Sequence, residues 1–153
     1  MAQILQQPRR FGELMECLWS DDPIIRMRAA DAAEKVSVRK PEWLQPFKAK
    51  LLGLADETTQ AEMRWHLGLM LPRLPLTRQE RERARARLRE YLKDHSSIVK
   101  TCALQGLAEL AMGDASREEE IVELLERACR TGTPAMKARS RKLLKQFQGR
   151  KES

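Results

Sequence analysis

Apolar residues along this chain recur at steps of three and four positions and do not alternate with polar ones. The pattern is clearest in two stripes: Ile25, Ala29, Ala32, Ala33 and Val36, and then Val99, Ala103, Gly106, Leu107 and Leu110. This spacing places the apolar residues on one face of an α-helix. Each such face needs a second helix to cover it. The pattern therefore predicts an all-α protein built from packed amphipathic helices.

Helix start signals divide the chain into eight predicted helices. A capping residue or a proline precedes most of the apolar runs, as in Asp22 before Pro23, Thr59 with Glu62, Thr77 with Glu80, Ser116 with Glu119, and Thr133 before Pro134. Such side chains accept hydrogen bonds from the first backbone N–H groups of a helix, and proline fits the first helical position. We predict helices over residues 9–19, 23–37, 41–55, 59–74, 77–93, 97–112, 116–130 and 133–148. Because the connections are short, successive helices are expected to pack antiparallel.

Four dipeptides of an apolar residue and a cation mark an internal repeat. They are Ile25-Arg26, Met63-Arg64, Val99-Lys100 and Met136-Lys137, and their spacings are 38, 36 and 37 residues. A period of this length is typical of helical solenoids, in which each unit covers the apolar face of the next. We predict one domain over residues 9–148, with repeats over about 9–39, 40–75, 76–112 and 113–148. A flexible segment is predicted over residues 1–8 and a polar tail over residues 149–153.

The surroundings of these dipeptides resemble the HEAT repeat. The first copy reads Asp21-Asp22-Pro23-Ile24-Ile25-Arg26 before a run rich in alanine, and the third reads Ser97-Ile98-Val99-Lys100 before Thr101-Cys102-Ala103. The second copy carries bulkier residues such as Met63 and Met70, and the fourth lacks an acid in its turn. The resemblance covers residues 10–148. It implies a right-handed α-solenoid of about four helix pairs, with eight antiparallel helices and the second helix of each pair on the inner curve.

The resemblance also implies a structural use for the repeated cations. In HEAT proteins this cation commonly bonds to an acid or a carbonyl group in a neighbouring turn, which forms a ladder between repeats. We therefore favour a structural role over ligand binding for Arg26, Arg64 and Lys100, with Asp21, Asp22, Asp56, Glu57 and Asp94 as the available acids. Lys137 has no acid in its own turn.

The inner helices carry the candidate partner-binding residues. Outside the apolar stripes these helices present Arg28, Asp31, Lys35, Trp65, His66, Arg73 and Gln105. Two registers are open for Trp65. If Arg64 aligns with Arg26, Trp65 takes the place of Met27 and faces away from the core, where it is suited to anchor a partner or stack on a base. If the register shifts by two residues, Trp65 replaces Ala29 and is buried.

The net charge of +7 is concentrated at the C-terminal end of the chain. Residues 133–153 carry seven cations and one acid, with Lys137, Arg141 and Lys145 at four-residue steps on the last predicted helix. Together with Arg139 and Lys142, these cations form a candidate site for an anion or a nucleic acid. The alternative is a terminal cap whose outer face is polar because it contacts water.

A second basic stretch lies on the fifth predicted helix. Six arginines alternate with glutamates there, at positions 78, 81, 83, 85, 87 and 89. Mixed charge of this kind is typical of a solvated helix face, with nucleic-acid contact as the alternative reading.

The sequence offers little support for catalysis, metal binding or cofactor binding. Phosphate-loop, serine-hydrolase and zinc-protease motifs are missing, and Cys17, Cys102 and Cys129 are too far apart in sequence to form a zinc motif. HEAT-like alkylpurine DNA glycosylases place an acid near aromatic residues, but Leu69 stands one helical turn after Trp65. Glycosylase activity is therefore a remote alternative.

These observations favour a non-enzymatic protein-interaction module, such as a scaffold, an adaptor or a regulatory subunit. The partner is expected to be a protein bound on the inner helices. A nucleic-acid-binding module that uses the C-terminal cations is the alternative. The N-terminal residues have neither a cationic lead nor a long apolar stretch, so we expect a cytoplasmic protein without membrane insertion.

Overall fold

Helices form all of the regular secondary structure in the part of the chain that the structure describes. The computed structural model describes residues 2–152, with side chains from residue 4 onward. The α-helices are α1 (Ala2–Gln6), α2 (Pro8–Glu16), α3 (Pro23–Arg39), α4 (Lys48–Glu57), α5 (Ala61–Met70), α6 (Arg78–Tyr91), α7 (Ser97–Ala111), α8 (Ala115–Thr131) and α9 (Pro134–Glu152). Short 3₁₀ helices span Cys17–Trp19, Pro41–Phe47 and Leu71–Arg73. The predicted all-α class is confirmed.

Four of these helices form a continuous inner layer. Helix α3 packs on α5, α5 on α7, and α7 on α9. The other long helices cover this layer, because α2 packs on α3, α4 on α5, α6 on α7 and α8 on α9. The core between the two sets is mainly aliphatic, and Phe11, Tyr91 and Phe147 are its buried aromatic residues among those described.

Proline interrupts two of the predicted helices. The segment predicted as a helix over residues 41–55 begins as a 3₁₀ helix that contains Pro46, and it becomes α-helical only at Lys48. Helix α5 ends at Met70, before a 3₁₀ turn that contains Pro72. Proline lacks an N–H group, and its ring clashes with the carbonyl group one turn earlier. The continuous α-helices predicted at these two places were therefore wrong.

Side-chain caps fix the start of several helices. Three of the predicted caps are confirmed, at Asp22, Thr77 and Thr133. Two others are wrong. Thr59 lies outside α5, whose first residue is Ala61, and α8 is capped by Asp114, which stands two residues before the predicted cap Ser116. Asp114 accepts a hydrogen bond from the backbone N–H of Arg117, so α8 begins earlier than predicted.

Both ends of the described chain are helical. Ile4 and Leu5 of α1 are partly buried against the core. Helix α9 extends to Glu152, beyond the predicted end at residue 148, and Arg150 on it lies 3.3 Å from a carboxylate oxygen of Glu118. The flexibility predicted for residues 1–8 and the predicted repeat boundaries stay predictions.

Ion pairs between covering helices perturb the pKa values of several carboxylates. Burial alone would raise the pKa of Asp56, but hydrogen bonds from Arg83 and Arg87 outweigh it and lower this pKa below its ordinary value. The Asp56 oxygens lie 2.6 Å from Nη2 of Arg83 and 2.9 Å from Nε of Arg87. The hydrogen bond from Lys48 and the backbone N–H of Thr77 lower the pKa of Glu80 to about 2. These carboxylates thus join α4 to α6.

We expect the protein to lose stability in acid because of these lowered pKa values. A carboxylate whose pKa is lower in the folded state stabilises the fold fully above its unfolded pKa of about 4 and loses that contribution as the pH falls through its folded pKa. The melting temperature, followed by circular dichroism, should therefore fall between about pH 5 and pH 2. Asp56→Asn should reduce the dependence of the melting temperature on pH. Asp21→Asn should not, because Asp21 is exposed and its carboxylate makes no hydrogen bond to any residue that the structure describes. A melting temperature that stays constant over this range would contradict the prediction.

Candidate functional site

A cavity between helices α3 and α5 collects most of the candidate partner-binding residues. Its volume is about 270 Å³, and it is lined by Met27, Arg28, Asp31, Glu62, Trp65 and His66. Asp31 follows Arg28 and Met27 by three and four positions, and Glu62 precedes Trp65 and His66 by three and four, so each set lies along one side of its helix. Four of them, Arg28, Asp31, Trp65 and His66, were predicted as partner-binding residues. The inner layer thus brings together residues that are more than thirty positions apart in sequence.

Trp65 is half-buried at this cavity and stacks on the next residue. The ring centroids of Trp65 and His66 are 3.4 Å apart, and the ring planes meet at 27°. Trp65 shares the cavity with Met27, while Ala29 is buried in the core. Trp65 is also packed against the core, so its half-buried position lies between the two predicted registers, and part of the indole ring lines the cavity.

His66 is buried and serves as the support of Trp65. Only 1% of His66 is exposed, and its Nδ1 lies 2.5 Å from the backbone carbonyl oxygen of Glu62. Because a carbonyl oxygen can only accept a hydrogen bond, Nδ1 carries the proton. The other nitrogen, Nε2, lies 3.5 Å from Oδ1 of Asp31 and makes no hydrogen bond within the described residues. The second ring nitrogen thus faces the Asp31 carboxylate across the gap between α3 and α5.

Two carboxylates border the cavity. Asp31 accepts a hydrogen bond on Oδ2 from Nζ of Lys35 at 2.7 Å, and this bond lowers the pKa of Asp31. The Glu62 carboxylate makes no hydrogen bond to any side chain or backbone group that the structure describes. Glu62 was not predicted as a site residue. The signal that could have identified it is its position three residues before Trp65 on the same helix face.

The remaining predicted partner-binding residues do not line this cavity. Arg73 donates to the Glu34 carboxylate at 2.9 Å and to Oγ of Ser37 at 2.8 Å, which joins the turn after α5 to α3. Gln105 accepts from Arg139 at 2.9 Å, which joins α7 to α9. Lys35 is outside the cavity lining, but it donates a hydrogen bond to Asp31, which lines the cavity. Arg73 and Gln105 thus join neighbouring segments of the inner layer, whereas the Lys35 bond lies within α3.

The ladder predicted for the repeated cations is present in the first two copies. Arg26 donates to the Ser20 carbonyl oxygen at 2.7 Å and to the Gln60 side chain at 2.9 Å. Arg64 donates to the Thr58 carbonyl oxygen at 3.0 Å and to the Asp94 carboxylate at 2.8 Å. Each arginine thus bonds its own turn and the next one.

The cations of the third and fourth repeat copies do not make the bonds seen for Arg26 and Arg64. Lys100 and Lys137 make no side-chain hydrogen bond within residues 4–152. At this end of the inner layer, a contact of 2.6 Å between the hydroxyl groups of Ser97 and Thr133 joins the two turns. The structural use predicted for Lys100 is therefore not seen.

The cations of α6 and α9 have different surroundings. Five arginines of α6 are bonded to acids or to a carbonyl group, at positions 81, 83, 85, 87 and 89. On α9, Lys137, Arg141, Lys142 and Lys145 have no ion-pair partner in the described part of the chain, and Arg139 bonds only Gln105. The basic face of α9 is therefore open to an anion, whereas that of α6 is largely neutralised.

Comparisons with protein-family models, with curated proteins and with solved structures find no match to this chain. Within the described residues, no group of three or more histidine, cysteine or acidic side chains is placed to hold a metal ion. None of the described helices has both the length and the apolar character needed to cross a membrane.

Proposed function

We propose that this chain is a non-enzymatic HEAT-like interaction module that binds a protein partner at the cavity beside Trp65. The proposal includes a right-handed solenoid of about four helix pairs. The successive packing of α3, α5, α7 and α9 supports this arrangement, as do the matching bonds of Arg26 and Arg64. A scaffold, an adaptor or a regulatory subunit would use such a surface.

The cavity beside Trp65 carries this proposal. Buried aromatic anchors in pockets dominate the energy of many protein interfaces, and a tryptophan is among the most effective. Here the indole ring is already held in place by stacking on His66, so binding does not have to order it. Arg28 and Glu62 provide polar groups at the rim without internal partners in the described part.

Site-specific photo-crosslinking tests this function. With a photoreactive amino acid in place of Arg28, we expect discrete protein adducts in cells that produce the protein. Trp65→Ala should remove these adducts, because the anchor is lost. Trp19→Ala is the matched control, since Trp19 is 41% exposed but lies outside the cavity, and it should leave the adducts unchanged.

A different result would overturn the protein-binding proposal. Crosslinks that persist in Trp65→Ala, or that form equally well from a photoreactive residue at exposed Arg127 on α8, would show that the cavity does not select the partner. Circular dichroism of Trp65→Ala is needed to show that the variant is folded.

The unpaired cations of α9 favour nucleic-acid binding as a second candidate function. Replacing Lys137, Arg141 and Lys145 with glutamine should weaken binding to a labelled DNA duplex or RNA strand, measured by fluorescence anisotropy at two salt concentrations. The slope of log K against log salt should change by about 2 to 3 units, because three phosphate contacts are lost. A control variant in which glutamine replaces Arg9, Arg39 and Lys40 has the same net charge as the α9 variant. It should retain the salt dependence of the unmodified protein. No binding by the unmodified protein at low salt would exclude this function.

A further inference from the structure

We infer that the cavity formed by Trp65, Asp31 and Glu62 takes an arginine side chain of the partner. This inference rests on the proposed protein-binding function and adds the chemistry that the partner must present. It combines three features of the cavity: its charge, its aromatic surface and its unoccupied hydrogen-bond acceptors.

The charge of the cavity is opposite to that of the whole chain. The protein has a net charge of +7, yet the cavity is lined by the carboxylates of Asp31 and Glu62 and by one cation, Arg28. Lys35 donates to Oδ2 of Asp31, and Oδ1 faces Nε2 of His66 at 3.5 Å. The Glu62 carboxylate makes no hydrogen bond within the described residues and is the stronger acceptor for an incoming cation. A cationic group is therefore favoured there over an anionic one.

The aromatic surface narrows the choice of cation. His66 stacks on one face of the Trp65 ring, and the half-buried ring also lines the cavity. Cations bind most strongly over the face of tryptophan, and a planar guanidinium group stacks there while its edge donates to carboxylates. Lysine has a compact, strongly hydrated ammonium group and cannot make both contacts in one plane.

An apolar side chain fits the cavity less well than arginine. It would cover Asp31 and Glu62 without donating a hydrogen bond, and covering an acceptor without giving it a partner weakens binding. Arginine supplies five N–H donors in a fixed plane. The carboxylates of Asp31 and Glu62 lie on opposite helices, α3 and α5, so one guanidinium group between them would bridge the two.

The indole N–H signals in a proton–nitrogen NMR spectrum test the inference. The chain has three tryptophans, and the signal missing in Trp65→Phe identifies the Trp65 indole. The probe is N-acetyl-arginine methylamide, with the citrulline analogue as a neutral compound of nearly the same shape. We expect a saturable shift of the Trp65 signal with arginine and at least tenfold weaker binding of citrulline. Because the protein is cationic, general charge attraction cannot produce this difference.

Variants of the carboxylates provide the second part of the test. Asp31→Asn combined with Glu62→Gln should weaken arginine binding at least tenfold. Asp21→Asn combined with Glu109→Gln removes the same charge away from the cavity and should have little effect. Equal binding of arginine and citrulline, or full binding by the cavity variant, would overturn the inference.

The two proposals fail in different ways. If the adducts formed from position 28 depend on Trp65 but not on Asp31 and Glu62, protein binding stands and the arginine inference is overturned. If N-acetyl-arginine methylamide binds as expected but no protein adduct forms, the proposed function is overturned and the preference of the cavity for a guanidinium group stands.

Discussion

Replacing Gly106 with alanine is expected to destabilise the folded protein by about 3 kcal/mol. Gly106 lies in α7 at its contact with α5. A Cβ atom at this position would overlap the backbone carbonyl oxygen of Gly68 and would lie 2.8 Å from Cδ1 of Leu88. The carbonyl group is part of helix α5 and cannot rotate away as a side chain can. The two central inner helices would therefore have to move apart, which would expose part of the core.

Thermal and urea-induced unfolding of Gly106→Ala would measure this loss. A decrease of about 3 kcal/mol corresponds to a melting temperature lower by about 6–12 °C for a chain of this size. Gly53→Ala is the matched control, because Gly53 also lies within a helix, α4, but a Cβ atom there would meet nothing within 4 Å. That variant should be more stable by about 0.5–1 kcal/mol, since alanine favours the helix. Equal stability of the two variants would contradict the close packing of α5 on α7.

Helix α7 shows why the fold class could be predicted from the sequence. All members of its predicted apolar stripe are buried: Val99, Ala103, Gly106, Leu107 and Leu110. The stripe of α3 is less complete, since Ile25 is 44% exposed. Ile25 lies in the first turn of α3, before the buried residues Ala29, Ala30 and Ala33. The spacing of apolar residues therefore identifies which face of a helix is apolar. How much of that face a neighbouring helix covers depends on tertiary packing.

The cavity beside Trp65 could be predicted only in part. The repeat register placed Trp65 and Asp31 on the same inner surface, but it gave no distance between their helices. Glu62 was missed because the sequence pattern assigned it to a capping box with Thr59, whereas helix α5 begins after Thr59. His66 was expected to be available to a partner. It is buried because α3 packs against α5, and the sequence alone does not show that contact.

The ladder of repeated cations shows a similar limit. Asp94 could be predicted as a partner of Arg64, because it is one of the few acids in the turns. Gln60, the partner of Arg26, is neutral, and a search for acids does not find it. Gln60 also donates to the Pro23 carbonyl oxygen at 2.9 Å, so it bonds to the same turn that Arg26 occupies. Contacts of this kind depend on side-chain direction, which residue type alone does not specify.

Arg64 makes the most extensive contacts of the four repeated cations. Its guanidinium carbon lies 5.1 Å from the centroid of the Tyr91 ring, in addition to its bonds to Thr58 and Asp94. Burial would raise the pKa of Asp94, but the backbone N–H of Ser96 and the Arg64 side chain lower it below its ordinary value. Only 13% of the Asp94 side chain and 25% of the Arg64 side chain are exposed. Removing Arg64 would thus leave a largely buried carboxylate without its cation.

We therefore expect Arg64→Met to destabilise the protein by about 2–3 kcal/mol, because one partner of a largely buried ion pair is lost. Lys100→Met is the matched control, since Lys100 occupies the same place in the repeat but has no side-chain hydrogen bond within the described residues. That variant should change stability by less than about 0.5 kcal/mol. Urea-induced unfolding at pH 7 would measure both. Similar losses in the two variants would show that the repeat position matters and that the contacts described for Arg64 do not explain its role.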